Sequence, residues 1–331
     1  MLETIARFHI ASEEDRARIR TPLDWAFIIR LRSFVSWLSK LVASSLKKKL
    51  RADKKFKNMF EEYSKSRGLK FDPEQFAKEA GYIFMNKIIF YKILERHYRD
   101  LSRLDPIEEN DAGKFISRLH EFFDKAVEVT GDFEAVFKTG IYDYVVLPED
   151  PGSLRDAVDD VNAFIKDMDY YRLEDFEADI VGHVYEDLIE PEEKHQLGQF
   201  YTPPAIAELI TKWCIRSPDD KILDPAVGSG TFLVKAYSRL RSLKLIENPR
   251  RSDRVIHREI IGQLYAIDID SFPAHLTSMN LAMRDVREPV SEINVINEDF
   301  FKVEPMQTIL TGYKVRTPKG RGWKRDIYTS C

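Results

Sequence analysis

The sequence predicts an all-helical N-terminal region followed by a parallel α/β sheet. Two observations carry this. Up to about residue 146, apolar residues recur at three- and four-residue spacing with few Gly or Pro interruptions, the pattern of helices that bury one face. Beyond Pro191 the texture changes: three short β-like runs, 221–223, 263–269 and 293–296, alternate with helical stretches. Strands separated by helices at this spacing pair in parallel, because each crossover returns the chain to the same end of the sheet.

Taking the elements in order, residues 25–46 and 76–98 read as helices, with Met85, Ile88, Ile89, Ile93 and Leu94 on one face. The PEDPG segment, 148–152, reads as a break between helical subdomains. Acid-rich helices are expected at 154–168 and 173–189. A loop holding Gly198, Pro203 and Pro204 then leads into a helix at 205–215. Further helices are expected at 231–245 and 273–284, between the strands.

A chain of 331 residues with 44% hydrophobic content can bury two cores. Its net charge of −4 gives no global polyelectrolyte signal, but the distribution is uneven. Residues 1–60 hold fourteen Lys/Arg against six Asp/Glu, and KKKLRADKKFK at 47–57 is nearly all basic; 130–195 holds nineteen acids to five bases. A basic surface of this kind suits phosphate, though solvated helix faces are the simpler reading. The two cysteines, Cys214 and Cys331, have no metal-ligand spacing, so no metal site is expected and a reducing, cytoplasmic compartment is. Arg30, Arg32 and Lys40 interrupt the most apolar stretch, which argues against a membrane span.

The strongest local signal is ILDPAVGSGTF at 222–232: a strand ending in an acid, then a tight Gly-Ser-Gly turn opening a helix. Glycine is needed where the backbone turns sharply against a ligand, and the helix start presents free N–H groups to an anionic end. The dinucleotide fingerprint GxGxxG is not met, since position 233 is Leu. The next strand, LYAIDID at 264–270, ends in acids able to accept ribose hydroxyls, Asp268 first and Asp270 as the alternative. Either acid could instead cap the following helix. At the end of the third strand, Asp299-Phe300 suits a purine, with a carboxylate for the exocyclic amine and a ring for its face. Ligands in such sheets bind at the carboxyl ends of the strands, where all three acids fall.

The ordered series LGQFYTPP (197–204), LDPAVGSGTF (223–232), LYAIDID (264–270) and INEDF (296–300) resembles the cofactor motifs of adenine-N6 DNA methyltransferases. The similarity is to the modification subunits and fused enzymes of type I and type IIG restriction–modification systems. It covers about residues 180–300. It implies S-adenosyl-L-methionine as cofactor and an incomplete Rossmann-like methyltransferase sheet made of its first three βα units. It implies that Tyr201 and Thr202 fold over the methionine end. Asp224 and the backbone at Ala226, Gly228 and Gly230 would hold the methionine amino and carboxylate groups. Asp268 would take the ribose hydroxyls, Ile269 the adenine face, and Asp299 with Phe300 the adenine edge.

The same resemblance implies a catalytic Asn/Asp-Pro-Pro-Tyr/Phe tetrapeptide, which holds a flipped-out adenine against the methyl group. The sequence has none: Asp72-Pro73, Asp105-Pro106 and Asn248-Pro249 lack the second proline, and Thr202-Pro203-Pro204 belongs to the upstream motif. No catalytic residue is therefore assigned. The expected organisation is a helical domain at 1–178, a partial cofactor-binding domain at 179–305 and a basic tail at 306–331. Double-stranded DNA is the expected substrate, with a second polypeptide or a further C-terminal region supplying the catalytic loop. A non-catalytic scaffold or regulator that binds cofactor or DNA is the alternative.

Overall fold

A computed structural model of the chain describes residues 25–66, 72–173, 202–287 and 293–303. It divides into two compact units, Met1–Val129 with Thr139–Phe176, and Thr130–Lys138 with Glu177–Cys331.

The first unit is helical: α1 (Trp25–Ala52), α2 (Lys54–Ser66), α3 (Pro73–His97), α4 (Ala112–Thr130) and, further along the chain, α6 (Pro151–Asp167). Asp72 starts α3 by accepting the Glu74 N–H at 2.8 Å, with Pro73 in the first turn, where a missing N–H costs nothing. The expected stripe of Met85, Ile88, Ile89, Ile93 and Leu94 is buried, but so is almost everything else from Phe76 to Leu94. α3 is the central helix of this unit rather than an amphipathic one.

Its buried charged groups are accordingly paired, as a low-dielectric interior demands, whereas the buried Asn86 amide has no partner among the described residues. Lys92 Nζ lies 2.7 Å from both Glu95 Oε1 and Asp169 Oδ1 and donates to the Leu104 carbonyl at 3.1 Å. Lys87 pairs with Asp143, and Tyr142 donates its hydroxyl to Glu79 at 2.6 Å.

The PEDPG segment is a helix start and not a boundary. Asp150 accepts the Ser153 N–H at 2.9 Å and Pro151 occupies the first turn of α6. That helix stays in the first unit, where Phe164 stacks on Phe34 of α1 with ring centroids 3.8 Å apart. Proline and an acidic cap punctuate a chain equally well at a helix N-terminus and in a linker, so the sequence did not separate the two cases.

In the second unit, α5 (Glu134–Phe137) packs with elements that follow much later in the chain. Next come α7 (Pro204–Cys214), β1 (Ile222–Asp224), α8 (Thr231–Glu247), α9 (Asp253–Gln263), β2 (Leu264–Asp268), α10 (Ser271–Ala282) and β3 (Asn294–Asn297). The described strands form one parallel sheet in the order β1-β2-β3, with Ile222 opposite Leu264, Ala266 opposite Val295 and Asp268 opposite Asn297. The predicted α/β fold with a three-stranded parallel sheet is what the described residues adopt, the third strand being followed by a short 3-10 turn. α9 had no counterpart in the sequence expectations. Its buried side is only Ile256, His257, Ile260 and Ile261, and it runs into β2 without a turn signal.

The core of the unit is Leu233, Ala236, Tyr237 and Leu240 of α8, Ile256, Ile260 and Ile261 of α9, Leu264 and Ala266 of β2, and Leu281 of α10. This cluster holds the strands in register and so fixes where their carboxyl ends lie. Tyr237 and His257 form its polar contact, with the hydroxyl 2.7 Å from Nδ1. Burial pushes the Tyr237 phenol well above its usual pKa, so the phenol stays protonated. The expected helix at 173–189 lies outside the described residues.

Candidate functional site

Parallel pairing brings the three strand ends to one edge. Asp224 ends β1 opposite Ala266, so Asp268 reaches two residues further, and Asp299 follows two residues after Asn297, the partner of Asp268. With neighbouring strands about 4.8 Å apart, β1 and β3 lie about 10 Å from each other across β2.

The turn after β1 is tightly folded. Gly228 and Gly230 have φ of 56° and 87°, which L side chains rarely adopt. The Val227 N–H donates to the Ile267 carbonyl at 3.0 Å, and the Gly230 N–H donates to the Val227 carbonyl at 2.9 Å. These bonds dock the turn on the end of β2. Gly230 then caps α8 in the left-handed conformation, without a side-chain acceptor.

Asp224 accepts the Ala226 N–H at 3.2 Å. Burial, with a smaller contribution from the nearby Asp268 carboxylate, raises its pKa above the usual carboxylate value. A half-buried acid beside a second acid is short of positive charge, and a ligand ammonium would supply it.

Asp268 is already engaged at both oxygens. Oδ2 accepts the Gly228 N–H at 2.9 Å and Oδ1 accepts the Asp270 N–H at 2.9 Å. A carboxylate offers about four lone-pair positions, so room is left for a hydroxyl donor. Asp270, the alternative, caps α10 by accepting the Phe272 N–H at 3.0 Å. Ile269 between them is 67% exposed.

Asp299 accepts the Phe301 N–H at 3.0 Å and opens a short 3-10 turn, Phe300–Lys302. Phe300 is 40% exposed and Phe301 93%. Two large side chains open to water next to a carboxylate edge form an apolar platform that folding alone leaves uncovered. Ala226 is exposed and Thr202 is half-buried ahead of α7, while Tyr201 lies outside the described residues.

The structure thus groups Asp224, Ala226, Gly228, Gly230, Asp268, Ile269, Asp299 and Phe300 on one edge. Residues missed from the sequence sit beneath it on α10. Thr277 Oγ1 donates to the Gly228 carbonyl at 2.9 Å, and Asn280 Nδ2 donates to the Ser229 carbonyl at 2.6 Å. Their signal was weak: two polar residues three apart in a helix, SFPAHLTSMNLA, that also carries Ser271, His275 and Ser278.

Residues 176–313 match the family model described as N-6 DNA Methylase. The methylase subunit of the Escherichia coli type I restriction enzyme EcoEI is 25% identical over 117 residues, covering 34% of this chain and 22% of its own length. A Methanocaldococcus jannaschii protein described as a type II restriction enzyme and methyltransferase is 24% identical over 303 residues, covering 62% of this chain and 24% of itself. Among solved structures, a type I modification subunit from Vibrio vulnificus aligns with 16% identity and a TM-score of 0.40, over 80% of this chain and 55% of that one. The chain therefore spans under a quarter of the length of the two curated relatives. Residues 176–313 are therefore similar to the N-6 DNA methylase family, and the two curated relatives are described as restriction–modification enzymes.

Proposed function

We propose that the edge formed by Asp224, the 226–230 turn, Asp268 and Asp299-Phe300 binds S-adenosyl-L-methionine, as the cofactor-binding portion of a site-specific adenine-N6 DNA methyltransferase. The observation that supports it best is the pairing of Asp224 with Asp268: a carboxylate whose charging is disfavoured by burial, beside one already committed to the glycine turn. The donor set fits the group. Asp224 complements an ammonium, free N–H groups at the start of α8 complement a carboxylate, Asp268 complements a ribose, and the exposed Ile269 and Phe300 complement a purine. Tyr201 and Thr202 precede this edge in the chain and are assigned to the methionine end by family resemblance. When bound, the cofactor supplies an electrophilic methyl group on a sulfonium; these residues hold and orient it.

The tetrapeptide that would hold the target adenine is not among the 331 residues, so methyl transfer needs it from elsewhere, in further chain or a second polypeptide. Double-stranded DNA is the proposed substrate, and the basic run at 47–57 offers positive charge for its phosphates. A cytoplasmic location accompanies this function. Among the described residues, no helix is long and apolar enough to cross a membrane. We further propose that 1–178 is a helical domain, 179–305 the cofactor domain and 306–331 a basic tail.

Isothermal calorimetry of this chain with S-adenosylhomocysteine tests the cofactor assignment. Binding at one site in the micromolar range supports it; no heat at millimolar ligand rejects it. Radiolabelled methyl transfer to adenine by this chain alone would reject the division of labour between binding and catalysis.

A further inference from the structure

The glycine-rich turn has little side-chain bulk to hold it, yet two of its carbonyls are each held by a donor about fifty residues away. Thr277 Oγ1 reaches the Gly228 carbonyl at 2.9 Å, and Asn280 Nδ2 reaches the Ser229 carbonyl at 2.6 Å. Thr277 is fully buried and Asn280 nearly so. Within a helix, short polar side chains ordinarily bond back to their own backbone one turn earlier. Ser278, between them, does this with the Ala274 carbonyl at 3.0 Å. Thr277 and Asn280 instead project from one side of α10 to successive carbonyls of the turn.

Thr277 also fixes how closely α10 approaches. A Cβ on Gly230 would lie 2.9 Å from Thr277 Oγ1 and 3.3 Å from its Cγ2. The glycine at 230 and the threonine at 277 are therefore one fitted contact. Burying a hydroxyl and an amide is unfavourable unless each finds a partner, and an apolar pair would fill this space at lower cost. What the polar pair adds is direction. In a planar trans peptide the carbonyl and the following N–H point opposite ways. Holding the Gly228 carbonyl toward Thr277 turns the Ser229 N–H away from α10.

We propose that Thr277 and Asn280 are positioning residues for the cofactor site: they orient the 228–230 peptides so that the turn is preformed for an anionic ligand group. The inference rests on the cofactor assignment above. Three variants of the full 331-residue chain separate it from simple packing. Thr277→Val keeps the shape and removes the hydroxyl; Thr277→Ser keeps the hydroxyl. Asn280→Leu removes the amide together with its Oδ1, a buried acceptor with no partner among the described residues, which offsets part of the cost of leaving the Ser229 carbonyl without its donor.

Thr277→Val and Asn280→Leu should each weaken S-adenosylhomocysteine about 5- to 10-fold in calorimetry, and Thr277→Ser should retain wild-type affinity within about 2-fold. Melting temperatures should fall by no more than about 10 °C, leaving the chain folded at the temperature of the titration. Amide exchange across 227–231 should quicken in Thr277→Val and Asn280→Leu without any ligand. Wild-type affinity and unchanged exchange in both would overturn the proposal, as would equal loss in Thr277→Val and Thr277→Ser, which indicates packing alone. If Thr277→Val does not fold, Asn280→Leu decides. A wild-type chain that binds no S-adenosylhomocysteine overturns the cofactor assignment instead, and the ligand-free exchange then decides the positioning by itself.

Discussion

Asp268 Oδ2 accepts the Gly228 N–H at 2.9 Å across 40 residues of sequence. One carboxylate thereby ties the end of β2 to the turn after β1, and the two ends of the proposed cofactor site share a residue. Asp268→Asn puts an amide where two backbone donors need acceptors. Cofactor affinity should fall roughly 10- to 100-fold, since hydrogen bonds to a charged group contribute about 1.5–3 kcal/mol. Calorimetry with S-adenosylhomocysteine reads this directly, and equal affinity for both proteins would remove Asp268 from the site.

Asp224 behaves differently because its pKa is raised in the folded chain. A group with a raised folded pKa contributes stability that is present below its unfolded pKa and lost as pH rises through the folded value. At pH 7 the charged Asp224 therefore costs stability, and Asp224→Asn should raise the melting temperature of the ligand-free chain while weakening the ligand. In wild type, affinity should decline as pH falls through this raised pKa, with proton release on binding in that range. Melting curves and titrations in two buffers of different ionisation heat check both signs.

Gly230→Ala meets two obstacles at once, a φ of 87° and a Cβ 2.9 Å from Thr277 Oγ1. The left-handed conformation alone costs about 1–2 kcal/mol for an alanine. Chemical denaturation should show at least that loss, and binding should weaken because the turn and α10 must separate. A neutral substitution would show that the contact yields easily.

Tyr237→Phe removes the hydroxyl that shares a hydrogen bond with His257 Nδ1 in the core of the second unit. The stranded ring nitrogen should cost about 1–3 kcal/mol. Urea denaturation measures it, and ligand affinity at saturating stability should be unchanged, because neither residue reaches the strand ends.

Much of the candidate site was legible before the fold was known, for a physical reason. Turn glycines and strand-terminal acids are chosen by local backbone demands, so ILDPAVGSGTF, LYAIDID and INEDF mark their turns and strand ends within a few residues. The alternation of strands with helices likewise fixed a parallel sheet, since only that pairing suits such crossovers. Local signals failed where two structures use the same residues. PEDPG read as a boundary and is a capped helix start, and α9 has too narrow a buried side to stand out.

The tertiary structure alone decided which long-range partner each group takes. α3 read as one apolar face and is buried nearly all round, because it lies at the centre of its unit. The sequence put Asp268 ahead of Asp270 but allowed either to cap a helix, and the fold gives the first the glycine turn and the second the helix cap. Thr277 and Asn280 became part of the site only when α10 packed beneath the turn. Hydrogen bonds across 40 to 51 residues depend on how elements pack, and no local pattern encodes that distance.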